Sequence, residues 1–140
     1  LTAFDLDRFV AAQDGIYPEA LAELRRGRKE SHWMWFVFPQ MAGLGRSETA
    51  RFYGIASAAE ARAFLAHPLL GPRLIECAQA LLAQPERRAE AIFGPIDAMK
   101  LKSSMTLFEG VAPDPAPFAA VLRVFFGGER DAATLALLDG

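Results

Sequence analysis

Glycine and proline recur at short intervals along this chain, so no regular segment can run far, and that limits the fold more than any other feature. Between these breaks the apolar residues return at three and four positions rather than at two, the spacing of one helix face. The pattern predicts an all-α fold, one compact multi-helix domain over residues 1–140 built from about eight short helices. At the front, Asp5 to Asp14 and Pro18 to Arg26 read as two helices parted by Gly15. Ser57 and Glu60 have capping-box spacing and start a helix through Ala61, Phe64 and Leu65 that stops near His67 and Pro68. His67 is expected to meet the unpaired carbonyls at that helix end. Pro72 opens a helix with the stripe Leu74, Ile75, Ala78, Leu81 and Leu82. A short helix from Pro85 to Phe93 is ended by a left-handed Gly94, and the next carries Met99, Leu101, Met105, Leu107 and Phe108 as far as Gly110. Phe118, Val121, Leu122 and Phe125 mark another, and Asp131 caps a last one through Leu138. Trp33 to Phe38 suits a strand or a short buried helix, and is read as a helix capped by Ser31 and stopped at Pro39.

Fifty-two per cent hydrophobic residues, with 11 Phe in 140, supply enough apolar surface for one core. A formal net charge of -2 favours neither nucleic acid nor an anionic membrane as a partner. The longest apolar runs, such as Trp33 to Pro39, fall far short of the roughly 20 residues of a membrane span. The start, Leu1 to Asp7, has no basic region followed by an apolar one, so no signal segment is expected. The lone Cys77, in an Ala/Leu-rich stretch, points to a buried thiol and a reducing, cytoplasmic setting. Two histidines without a cysteine pair or spaced carboxylates predict no metal, and the absence of a Gly-rich phosphate loop predicts no familiar cofactor. Oligomeric state leaves no mark in the sequence.

Chemistry concentrates in two stretches. The first is Arg25 to Gln40, where cations crowd before a helix start, so that Arg28, Lys29 and His32 can donate to a phosphate or carboxylate. A solvated basic turn is the plainer reading. His32, as a neutral imidazole, could serve as a base or acceptor, or simply pack on Trp35 or Phe36. Trp33 and Trp35 cannot share a helix face, so one can line a pocket while the other fills the core, or both can be core. Gln40, held after Pro39, is a pocket contact or a turn residue. The second stretch is Phe93 to Phe108, where Lys100, Ser103, Ser104 and Leu107 share a helix face and could bind an anionic group. Asp97 by default caps that helix, and could otherwise take up a proton. His32, Trp33 or Trp35, Gln40, Lys100 and Ser103 or Ser104 are expected to converge on one concave site.

These stretches carry a resemblance. R-F-V-A-A-Q at Arg8 to Gln13, Y-P-E-A-L-A-E-L at Tyr17 to Leu24 and G-R-K-E-S-H-W-M-W-F-V-F-P-Q at Gly27 to Gln40 resemble a small bacterial family described as domain of unknown function 1810. So do Y-G-I at Tyr53 to Ile55, Glu60 to Leu74, S-S-M-T-L-F at Ser103 to Phe108 and G-G-E-R-D at Gly127 to Asp131. The resemblance implies a predominantly helical fold and no settled activity; relatives often read K-F-R where this chain has Lys100, Leu101 and Lys102. A sparser similarity, through F-V-A-A-Q, His67, and Phe93 and Gly94 before Asp97 and Lys100, is to a helical family of ADP-ribose metabolism that hydrolyses N-glycosidic bonds. Three functions follow: a small binding module with an anion-tolerant pocket, an N-glycosidic hydrolase for an ADP-ribose-like or nucleotide-sugar compound, and a protein-interaction domain using the aromatic block. For the hydrolase, His32, Asp97 and Glu30 are the candidate acids and bases. Whether the chain is an enzyme stays open at this point.

Overall fold

The structure, a computed structural model, describes residues 4–139; residues 1–3, part of the start read above for a signal segment, and residue 140 lie outside it. Among the described residues the chain is all-α. Its helices are α1 Asp7–Gln13, α2 Tyr17–Arg26, α3 Met34–Val37, α4 Glu48–Tyr53, α5 Ala58–Ala66, α6 Leu70–Leu82, α7 Ala89–Val111, α8 Ala116–Phe126 and α9 Ala132–Asp139. No helix among them is long and apolar enough to cross a membrane.

The second part of α7 is the central element. From Ser103 to Phe108 every residue is buried, because α5, α8 and α9 all pack on it. A file of aromatic rings runs through it and joins four helices: Phe9 to Phe64 at 5.1 Å, Phe64 to Phe108 at 5.4 Å, and Phe108 to Phe118 at 6.0 Å between centroids. Burial of each such side chain stabilises the fold by about 1.5–3 kcal/mol. On the other side α6 packs between α2, α5 and α8. Its Cys77 is buried, and that burial pushes the thiol up to about 12, although the Tyr17 hydroxyl lies within contact of the sulfur.

Local sequence explains where the helices start. The Ser57 hydroxyl accepts the Glu60 N–H at 3.1 Å, and the Asp131 Oδ2 accepts the Thr134 N–H at 3.0 Å and hydroxyl at 2.6 Å. Glu60 does not complete a reciprocal box. Its carboxylate accepts the Ala56 N–H at 2.7 Å and pairs with Arg8 at 3.0 Å. Arg8 also donates to the carbonyls of Phe52 at 2.7 Å and Gly54 at 3.0 Å, which ties α1 across the sheetless α4 to α5 connection.

Four expectations need correction. The sequence reading passed over α4, although Ser47 caps it by accepting the Ala50 N–H. His67 meets the carbonyls of Ala63 at 3.0 Å and Phe64 at 3.2 Å through its backbone N–H only, while its side-chain Nδ1 accepts the N–H groups of Leu69 at 3.1 Å and Leu70 at 3.3 Å, so it starts α6 two residues before Pro72. Gly94 is not left-handed helical. Its φ of 79° and ψ of 165° form an extended, positive-φ break inside α7, after which Pro95 begins a new helical run. Ser31 does not cap α3, which shrinks to Met34–Val37.

Ser31 instead serves Glu23, a buried carboxylate on α2. Its Oε1 accepts the N–H groups of Glu30 at 2.7 Å and Ser31 at 2.9 Å and the Trp33 indole N–H at 2.9 Å, and its Oε2 accepts the Ser31 hydroxyl at 2.5 Å. Burial alone raises the carboxyl pKa, but the hydrogen bonds from Ser31, Glu30 and Trp33 together outweigh it and hold Glu23 at about 2, below its ordinary 4.5. Gly27, with φ 75°, makes the preceding turn by letting the Arg28 N–H reach the Glu23 carbonyl at 3.1 Å.

Two predictions follow from these local devices. In Gly94→Ala no heavy atom lies within 4 Å of the new methyl, so backbone strain alone acts, and urea unfolding should show a loss of about 1–3 kcal/mol. Ionised Glu23 stabilises the fold fully above pH 4.5, and that contribution falls away as pH drops toward 2. Glu23→Gln keeps the shape without the titration, so the stability difference between wild type and this variant should narrow steadily across that interval. Glu23→Ala removes the acceptor of four donors and strands three of them, since the Ser31 hydroxyl also reaches Glu19 at 3.0 Å, and should cost about 3 kcal/mol at neutral pH. A difference that is constant with pH would show that Glu23 is not the titrating group.

Candidate functional site

The turn at Gly27 and the Glu23 carboxylate fix the path of the segment from Arg28 to Trp33. Within it the Lys29 N–H donates to the Ile92 carbonyl at 2.8 Å, which docks the loop on α7 immediately before the Gly94 break. The break then places Asp97 in the first turn of the new helical run, facing the loop. Asp97 bridges two lysines: Lys29 at 2.9 Å and Lys100, one turn along, at 3.5 Å. Each ammonium also sits on an indole. Lys29 lies 5.1 Å from the Trp33 ring centroid and Lys100 3.6 Å from that of Trp35.

Side-chain alternation sends the two tryptophans in different directions. Trp33 is buried in the core against Phe38 and Phe93, while Trp35 is partly exposed and lines a cleft of about 320 Å³. Gln40, Leu44, Ile96, Met99, Lys100 and Asp131 complete most of that cleft, with Ser103 on its floor. Gln40 is held there by the pairing of its carbonyl with the Ile55 N–H at 2.9 Å. Its amide makes no hydrogen bond among the described residues. The Ser103 hydroxyl donates to the Met99 carbonyl at 3.2 Å, so what it retains is acceptor capacity.

Trp35, Gln40, Lys100 and Ser103 therefore come together, from segments about 60 positions apart, as α3 and the loop after it meet α7. The other candidates do not line this cleft. Arg28 and His32 are exposed, and Glu30 is exposed beside them. Lys29 is spent on Asp97, on the Ser31 carbonyl at 2.6 Å and on Trp33. Ser104 is fully buried, its hydroxyl without a hydrogen-bond partner among the described residues, because it turns with Leu101, Met105 and Leu107 into the core rather than with Lys100. Asp97 is an ion-pair bridge rather than a side-chain cap.

Sequence reasoning missed the apolar rim and the acid. Met99 was placed on the core stripe, yet it is 71% exposed and Ile96 70%, and with Lys100 and Ser103 they form the α7 face toward the cleft. Their spacing was a usable signal: Met99 lies four positions from Ser103, and Ile96 lies three from Met99 and four from Lys100. Asp131 had been assigned its capping role only, which it keeps. A second cleft of similar size, between α1 and α6, is lined by Asp7, Asp14 and Arg73, but Arg73 is already engaged by Gln13 at 3.2 Å and by the Tyr17 ring. Among the described residues no three His, Cys, Asp or Glu side chains gather as metal ligands would.

Comparison with known proteins agrees with this architecture. A solved structure described as the conserved hypothetical protein Rv1873 from Mycobacterium tuberculosis is 52% identical, with a TM-score of 0.96 over 98% of both chains. Among curated proteins none matches. The family model described as "Protein of unknown function (DUF1810)" matches residues 3–138, and this chain belongs to that family.

Proposed function

We propose that this chain is a small binding module whose cleft takes the anionic group of a small molecule at Lys100. The observation that carries the reading is the unequal sharing of Asp97. Its shorter contact goes to Lys29, whose side chain is 7% exposed, and its longer one to Lys100, which is 20% exposed and reaches the cleft. Two cations share one carboxylate, so a positive charge is left over, and Lys100 is where a ligand can meet it. Trp35 holds that ammonium in place, which lowers the ordering cost of binding. A volume of about 320 Å³ lies at the small end of ligand sites, which suits a metabolite of modest size.

Binding is preferred over hydrolysis because the candidate acids and bases are poorly disposed for it. Asp97 is held between two lysines, and His32 and Glu30 stand outside the cleft. The interaction-domain reading loses part of its motive with Trp33 and Phe38 inside the core.

A thermal-shift screen of nucleotides, ADP-ribose, sugar phosphates and small carboxylates tests the proposal. A ligand at about 100 times its Kd should raise Tm by about 5–10 °C. Lys100→Met should abolish that rise while leaving the unliganded Tm nearly unchanged, since a partly exposed pair contributes only about 0–1 kcal/mol. An equal rise in the variant, or none for any anion at millimolar concentration, would rule the reading out.

A further inference from the structure

The cleft holds a second charge that the anion reading does not use. Asp131 lines it together with Lys100. Only Oδ2 of Asp131 is spent on capping α9, while Oδ1 has no hydrogen-bond partner among the described residues. Its place is fixed from both sides. The Asp131 N–H donates to the Thr106 hydroxyl at 3.0 Å, and the neighbouring Arg130 is clamped by the Glu109 carboxylate, with one contact at 2.8 Å. Thr106 lies six residues beyond Lys100 on the same helix, so the two charged groups are anchored about 9 Å apart along its axis. Between them run Ser103 and the apolar Met99, with the unpaired amide of Gln40 in the same cleft.

We infer that the cleft is two-ended and selects a zwitterion: a small molecule with an acidic group for Lys100 and a protonated amine for the carboxylate of Asp131, joined by a short apolar body. This rests on the reading of Lys100 as the anion's partner. A simple dianion satisfies Lys100 but brings like charge toward Asp131, and a diamine does the reverse. An ω-amino acid satisfies both and lays its methylenes on Met99.

The test is an amide-resolved NMR titration of the full chain with ω-amino acids from glycine to ε-aminocaproate, against the monocarboxylates from acetate to caproate. The longer amino acids should shift the amides of Lys100 to Ser103 and Asp131 to Thr134 together, and bind about tenfold tighter than the carboxylate of equal length. Asp131→Asn keeps a helix cap of equal quality, and it should erase that preference by bringing each ω-amino acid to the affinity of the carboxylate of equal length. Equal affinity of the two series in the wild type overturns the two-ended cleft and leaves the anion reading standing. If no carboxylate-bearing probe shifts the cleft amides, the two-ended cleft falls, and the phosphates of the thermal-shift screen decide the anion reading by themselves.

Discussion

One buried carboxylate organises the part of the molecule on which the cleft depends. Glu23 is removed from water yet stays ionised, because two backbone amides, an indole and a hydroxyl converge on its oxygens. Charge-assisted bonds of this kind are about twice as strong as neutral ones, and here they fix a loop that has no regular structure of its own. The loop in turn places Lys29 against Asp97 and seats Trp33 in the core. With Trp33 inside, Trp35 two positions on must face outward, toward Lys100. A chain of consequences therefore runs from one acidic side chain on α2 to the aromatic wall of a cleft built by α3 and α7.

Much of the fold was legible because helices announce themselves locally. The three and four spacing, Ser57 with Glu60, and Asp131 ahead of the last helix all express interactions within one or two turns. What escaped was decided by distant partners. Ser31 looked like a cap for α3, but Glu23, eight residues earlier, offers a charged acceptor and wins the hydroxyl. Glu60 was read correctly at a helix start, yet Arg8 from the far end of the chain redirects its carboxylate. At Gly94 the residue signalled a break, while the choice between left-handed and extended backbone was settled by Pro95, which disfavours helical geometry in the residue before it.

The cleft was legible in a different proportion. Trp35, Gln40, Lys100 and Ser103 were singled out as polar or aromatic groups at odds with a plain core, and all four line it. Ser104 was grouped with Lys100 by spacing alone, and spacing cannot say how wide the buried arc of a helix is. With packing from three neighbouring helices that arc takes in Ser103 to Phe108 entirely, and Ser104 goes under. Met99 was set among the apolar residues of that helix, and Ile96 was not singled out at all: hydrophobicity marks a side chain as buriable, not as buried.

The Gly94 break has a consequence for how the cleft behaves when occupied. From Pro95 to the end of α7 the chain is one uninterrupted helical run that carries Ile96, Met99, Lys100 and Ser103 at one end and the enclosed Met105 to Phe108 toward the other. The cleft floor is thus the protruding end of a girder whose remainder is embedded in the core, and it cannot tilt without levering Phe108 away from Phe64 and Phe118. An occupant therefore meets an unyielding surface on the α7 side, and that fixed jaw sets the gauge of what the cleft can hold.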